Sequence, residues 1–208
     1  MTLKMEEELT EGALRIVKIA EVLFAEHGYS GTSLNAIAKQ SGVSKANIFH
    51  HFENKEALYL TVLRQASKEM SGVLDEIRNP NSPTEDQIKQ YSLQHLMNLF
   101  NNKNVTRLIL REMQEDNGQQ NVSMARDVLG EHFTRVVGLI ETAQSENKIK
   151  NTIPAAVIAM TMVAGNVFYF QVHKFLDQFP ELSGAEVPQN YSSAFSEILL
   201  NGILNNKD

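Results

Sequence analysis

The chain has 208 residues, no cysteine and no tryptophan, with 42% hydrophobic and 21% charged residues. That length suits one domain, or a small domain fused to a larger one, and the missing cysteines exclude a disulfide framework, a cysteine-ligated zinc site and thiol catalysis. A formal charge of −6 lacks the overall basic footprint of a nucleic-acid binder, so any such function must rest on a local patch.

Helical period runs through almost the whole chain, and nothing reads as an alternating strand. The opening residues, Met1 to Glu8, carry an acidic cluster where a secretory leader has basic residues before an apolar run, so a cytoplasmic location is expected. The first helix is predicted from Thr10, its N-cap, to His27, with Ala13, Ile16, Val17, Ala20, Leu23 and Phe24 on one face and Gly28 as the stop. A short second helix follows Thr32 or Ser33 and ends at Ser41-Gly42. A third opens at Ser44 and carries Ile48, Phe49 and Phe52. Asn54 caps a long fourth helix towards Ile77, and Asn79 to Pro83 reads as a turn. Further helices are predicted near 84–101, 104–116, 122–147, 153–178 and 188–204. The expected fold is therefore all-α, with nine helices. A small domain over 1–55 is expected to be joined through the fourth helix to a larger one over 56–208.

The segment from Thr32 to Glu56 carries the chemistry. Two short helices around a glycine-containing turn have helix-turn-helix spacing, in which the second helix enters the major groove. Ala38 is small enough for the helices to cross closely, Gly42 allows the turn, and Val43 and Ile48 can pack beneath the pair. The exposed face then offers Ser44, Lys45, Asn47 and His50. Charge supports this patch modestly: Thr32 to Lys55 is net +2, whereas residues 1–60 are net −2. An ordinary helical hairpin fits the spacing as well. A metal role for His50-His51 is not expected, because adjacent helical side chains diverge by about 100°. Phe24 and Phe52 fall on the apolar period and read as core.

The run from Ala20 to Leu63 resembles the DNA-binding domain of the TetR family of transcriptional regulators. Three phrases carry the likeness: Phe-x-x-x-Gly-Tyr-x-x-Thr-Ser from Phe24, Ile-Ala-x-x-x-Gly-Val-Ser-Lys from Ile37, and His-His-Phe-x-x-Lys-Glu-x-Leu from His50. The resemblance implies a homodimer on a palindromic operator, and a divergent C-terminal domain that holds a small molecule and releases DNA when occupied. Position by position it implies that Thr32 touches phosphate, that Ser44, Lys45 and Asn47 lie at or in the groove, that His50 meets phosphate or a thymine methyl, and that Lys55 adds a phosphate contact. Lys45 and Lys55 would supply salt-dependent affinity, and Asn47 could pair with adenine. Two departures stand out. Phe49 replaces the usual tyrosine, losing a phosphate-bonding hydroxyl and leaving a packing role, and Ala46 replaces a frequent glycine.

Asn151 to Val172 contains no formal charge and is long enough to raise a transmembrane helix. Thr161, Asn166, Gln171 and the alanines favour a buried bundle helix instead, opened by Pro154. Its small residues Ala155, Ala159 and Val163, with Phe195, Ile198 and Leu199 of the last helix, are expected at a four-helix dimer seam, where the resemblance puts dimerisation. His95, Phe100, Arg107, Met113, Phe168, Tyr169 and His173 are the candidates for lining a ligand site, since Met and aromatics suit an irregular apolar interior. Arg107, Arg111 and Glu115 also read as ordinary surface pairs. The chain lacks G-x-S-x-G, Walker A, G-x-G-x-x-G, H-E-x-x-H and any Glu-x-x-His, so no catalytic residue, cofactor or metal is expected. An all-α enzyme that turns over a small molecule, and a helical adaptor with a vestigial DNA head, are the alternatives.

Overall fold

This computed structural model describes residues 9–65, 82–114, 119–176 and 178–204. Its helices are α1 (Glu11–Gly31), α2 (Leu34–Ser41), α3 (Lys45–His51), α4 (from residue 55, described to 65), α5 (Thr84–Asn101), α6 (Lys103–Gln114), α7 (Gln119–Ser145), α8 (Ala155–Leu176) and α9 (Pro188–Ile203). A 3-10 turn, Pro180–Leu182, precedes α9. Among the described residues the one β feature is an isolated antiparallel bridge between Ile149 and Leu204. The remainder of the expected fourth helix, including Ala66 and Val73, lies outside the described residues.

The helices start where local chemistry dictates. Thr10 Oγ1 accepts from Ala13 N at 3.3 Å, Ser33 Oγ from Ala36 N at 3.1 Å, Ser44 Oγ from Asn47 N at 3.1 Å and Asn54 Oδ1 from Ala57 N at 2.8 Å. Each satisfies an orphan N–H of a first turn and is worth about 1 kcal/mol. The stops are equally local. Gly28 breaks the regular helix at φ 73°, ψ 172°, and Gly42 caps α2 in the left-handed region at φ 68°, ψ 27°. Both are conformations that a side chain resists. At the other end of the chain, Pro154 stands just outside α8 rather than within its first turn. Its carbonyl accepts from Val157 and Ile158.

The chain forms two compact units. The first comprises residues 1–66 and 104–125, so α6 groups with α1 to α4; the expected boundary at residue 55 falls inside it. Its core is built from Ile16, Val17, Ala20 and Phe24 of α1, Ile37 of α2, Ile48 of α3, and Leu58, Tyr59 and Val62 of α4. The second unit comprises residues 67–103 and 126–208. In it α5 lies against both α8 and α9. Ile88 and Tyr91, Val136 and Ile140, Ile158, Ala159 and Met162, and Leu200 and Ile203 form one continuous apolar core. Gln144 closes the α7–α8 connection by donating to the carbonyls of Lys150 and Ile153. α8 is the one described helix long and apolar enough to cross a membrane, yet it buries Ala155, Ile158, Ala159, Met162, Asn166, Tyr169 and Phe170 inside this unit.

Candidate nucleic-acid interface

Seven residues make α3, and only Ile48 of them is fully buried. That anchor at one helical face turns Lys45, Asn47, Phe49 and His50 outward. Ser44 is spent on its own backbone as the cap, with its hydroxyl on Asn47 N. Val43 is half-buried beneath the turn and Ala38 is buried at the α2–α3 contact. Phe24 and Phe52 are core, as their period requires. Phe49 is not: it is 48% exposed, and Lys45 Nζ lies 5.8 Å from its ring centre. The packing role expected for Phe49 is therefore corrected: α3 packs on the core through Ile48 alone among its residues, which leaves Phe49 on the solvent side. The His50 and His51 rings meet edge-on at 5.1 Å. The His51 ring packs against Gly12 of α1, while His50 stays exposed.

Thr32 and Lys55 are held differently from their expected free positions. Thr32 is buried, and its hydroxyl donates to Leu23 O at 2.9 Å and Gly28 O at 2.8 Å. It ties the start of α2 to the end of α1, while Ser33 does the capping. A phosphate contact through that hydroxyl would have to break both bonds. Lys55 Nζ sits over the Tyr29 ring at 4.4 Å, and partial burial lowers its pKa from the ordinary lysine value. Tyr29 in turn packs edge-on against Tyr59, which packs edge-on against Phe24. This aromatic chain fixes the cation at the α4 N-terminus. Sequence reasoning missed it, although Tyr29 stands in the phrase that follows Phe24.

The ligand candidates divide. His95 and Tyr169 are buried in the second unit. Phe100 meets His173 edge-on at 4.6 Å, with Phe170 at 5.3 Å and Tyr169 at 6.2 Å, so these side chains form one aromatic cluster. Phe168 does not join them: it is 64% exposed, on the face of α8 opposite Asn166 and Tyr169. Arg107 is exposed on α6 of the first unit, in keeping with its reading as a surface residue rather than as a ligand-lining one. The side chain of Met113 lies outside the described residues. Arg111 Nη1 lies 3.3 Å from where a Cβ on Gly28 would stand, so this side chain covers the end of α1.

A buried polar group accompanies the aromatic cluster. His95 and His132 stack at 5.9 Å, each ring also stacking with Tyr91. Tyr91 Oη is 3.3 Å from His132 Nε2, and Asn166 Nδ2 donates to Ser92 O at 2.9 Å and to His95 Nδ1 at 3.1 Å. Burial, helped by the neighbouring His132, pushes His95 down to about 3. Burial, helped by Arg135, pushes His132 down to about 4. Both imidazoles are neutral at pH 7. Of this group the sequence singled out only His95; His132 and Asn166 were visible as polar residues in apolar helices.

The expected dimer seam also needs correcting. Ala155 and Ala159 are buried in the core of their own unit, so they offer no surface to a second chain. Phe195 rests its ring on Gly165 of the same chain. Val163 and Leu199 are half-buried, and Ile198 is 72% exposed. The free apolar stripe of α8 is instead Val157, Met160, Ala164 and Phe168, spaced by three or four residues, with Phe175 seven residues further on.

Residues 16–62 match the family model described as bacterial regulatory proteins, tetR family. Over 70 residues the chain is 39% identical to the HTH-type transcriptional repressor AcnR of Corynebacterium glutamicum, which covers 34% of each chain. The chain thus aligns with about a third of the length of that curated relative. Its fold is similar to the fatty acid degradation regulator FadR from Bacillus halodurans, with TM-score 0.76 at 18% identity over 94% of this chain and 98% of that one. It is also similar to FadR from Bacillus subtilis in complex with stearoyl-CoA, with TM-score 0.74 at 17% identity over 91% and 98% of the two chains.

Proposed function

We propose that this chain, whose residues 16–62 match the model of bacterial regulatory proteins of the tetR family, is a DNA-binding transcriptional repressor. It acts as a homodimer on a palindromic operator and lets go when a small molecule occupies its second unit. The observation that carries this reading is the outward face of α3, where Lys45, Asn47, Phe49 and His50 stand free around the single buried anchor Ile48. Lys45 supplies a phosphate contact and Asn47 a bidentate partner for adenine. Exposed Phe49 offers an apolar surface for a thymine methyl in place of a tyrosine hydroxyl. His50 borders the backbone, Ser44 presents the first turn, and Lys55 reaches phosphate from its seat on Tyr29. Thr32 acts by holding α2 against α1 rather than by touching DNA.

Dimerisation uses the exposed stripe of α8 with Ile198 of α9, because a contiguous apolar face is what a second copy would cover. A two-fold pair sets the recognition helices one DNA turn apart, roughly 34–36 Å. The aromatic interior around Phe100, Tyr169 and His173 supports a small-molecule effector, as does the stearoyl-CoA bound by the Bacillus subtilis neighbour. Such an effector releases DNA only if it binds more tightly to the form whose heads do not match the operator.

Selection of genomic fragments on the purified chain tests the proposal. Recovered fragments should share an inverted repeat with half-sites one helical turn apart or a multiple of it, and sedimentation should give a dimer. The double substitution Phe168→Glu, Ile198→Glu should produce monomers that bind the site far more weakly. A chain that retains no fragment above background, or that is a strict monomer, contradicts the proposal.

A further inference from the structure

We propose that the buried polar cluster of Tyr91, His95, His132 and Asn166, with Ser196 of the neighbouring α9, is the recognition point for the uncharged end of a small molecule, one that both donates and accepts hydrogen bonds, such as an amide or an alcohol. This deepens the ligand half of the proposed function and rests on it, while owing nothing to the DNA half.

Two buried atoms of this cluster, His132 Nδ1 and Asn166 Oδ1, have no hydrogen-bond partner, and neither does the buried Ser196 Oγ of α9. Buried polar atoms are rarely left so, and two on one cluster, with a third on the adjoining helix, call for a polar guest. Their chemistry can be assigned. The Asn166 amide cannot be turned round, because a flip would set its oxygen against Ser92 O, acceptor against acceptor, and this leaves Oδ1 as a free acceptor. The Tyr91 phenol is a better donor than an imidazole N–H, so it gives its proton to His132 Nε2 and leaves Nδ1–H as a free donor. Ser196 supplies a hydroxyl that does either. It stands one turn beyond Ser192, whose hydroxyl donates to Ser92 Oγ. Ser92 thereby ties the polar positions of α5, α8 and α9 to one place.

The guest is uncharged because no member of the cluster carries a charge that would neutralise it. None of the buried polar residues described is Asp, Glu, Lys or Arg, and burial holds both histidines neutral. A carboxylate or ammonium would enter without a counterion. Arg135, one turn along α7 from His132, is half-buried and already engaged.

The test uses the full chain labelled with 15N-histidine, titrated with benzamide, benzoate and toluene. Benzamide should move the His132 imidazole resonances saturably, while benzoate and toluene leave them in place. Ser196→Ala, which removes a hydroxyl that bonds nothing, should weaken benzamide binding by about fivefold or more without lowering the unfolding temperature. Asn166→Leu should abolish it. Should Asn166→Leu fail to fold, Ser196→Ala decides. The proposal is overturned if benzamide causes no saturable shift, as for a cluster filled by water alone. It is overturned equally if benzoate or toluene matches benzamide, or if Ser196→Ala destabilises the protein and leaves binding unchanged. The fragment selection described above uses no small molecule, so failure of the DNA reading and failure of this one are seen in separate experiments.

Discussion

Thr32 illustrates what a single residue can and cannot disclose. Its place before α2 suggests a cap or a phosphate contact, yet its hydroxyl is committed to Leu23 O and Gly28 O. Thr32→Val should therefore lower stability by about 1–3 kcal/mol, because two buried acceptors lose their donor. Operator affinity should fall through misplacement of α2, with the salt dependence of binding unchanged. Denaturant midpoints and a salt titration check both; a slope reduced by about one would instead make Thr32 a phosphate ligand. The caps at Thr10, Ser44 and Asn54 were legible because an N-cap bond spans three residues. Thr32 was not, because its partner Leu23 is nine residues away and is brought close only by the break at Gly28. Phe49 and Ile48 make the same point, since composition called both apolar and only the packed helix separates the buried one from the exposed one.

At the scale of elements, the positions of the described helices were readable to within about four residues, because period and breakers are local signals. The faces of α8 were not. Its charge-free sequence offers apolar or small residues in nearly every direction, so Ala155 and Ala159 looked as available to a second chain as Met160 and Phe168. Their burial against α5 and the rest of the core decides the matter. The close approach of α9 to α8 occurs at Gly165, where an added Cβ would stand 2.5 Å from Phe195 Cζ, while Tyr191 Oη donates to Gly165 O at 2.7 Å. Gly165→Ala should cost about 1–3 kcal/mol in thermal or denaturant unfolding, as overpacking does. Phe195→Leu in the same chain should recover part of it. A neutral Gly165→Ala would mean that Phe195 turns aside freely.

For the whole molecule, two buried neutral histidines make stability depend on pH in a defined direction. The unfolded chain binds protons on His95 and His132 below about pH 6.5, whereas the folded chain refuses them until about pH 3 and 4 respectively. Their contribution is complete above pH 6.5 and is lost as pH falls towards 4, with a slope of up to about 1.4 kcal/mol per pH unit for each histidine. Urea midpoints measured from pH 8 to 4.5 should hold steady and then drop, and His132→Asn should flatten the drop; a midpoint that rises on acidification would contradict neutral burial. Composition gave no hint of this, since a lone histidine reads alike inside and outside. The likeness of residues 16–62 to bacterial regulatory proteins of the tetR family, in contrast, was legible from the three phrases between Phe24 and Leu58 despite the acidic balance of the whole chain. Its most direct test is the affinity of Lys45→Ala and Asn47→Ala for the selected operator across a salt series. Lys45→Ala should weaken all sequences alike and reduce the salt slope by about one, while Asn47→Ala should relax specificity at one base pair at a cost of about 1–3 kcal/mol. Wild-type binding by both variants would contradict the placement of α3 in the groove.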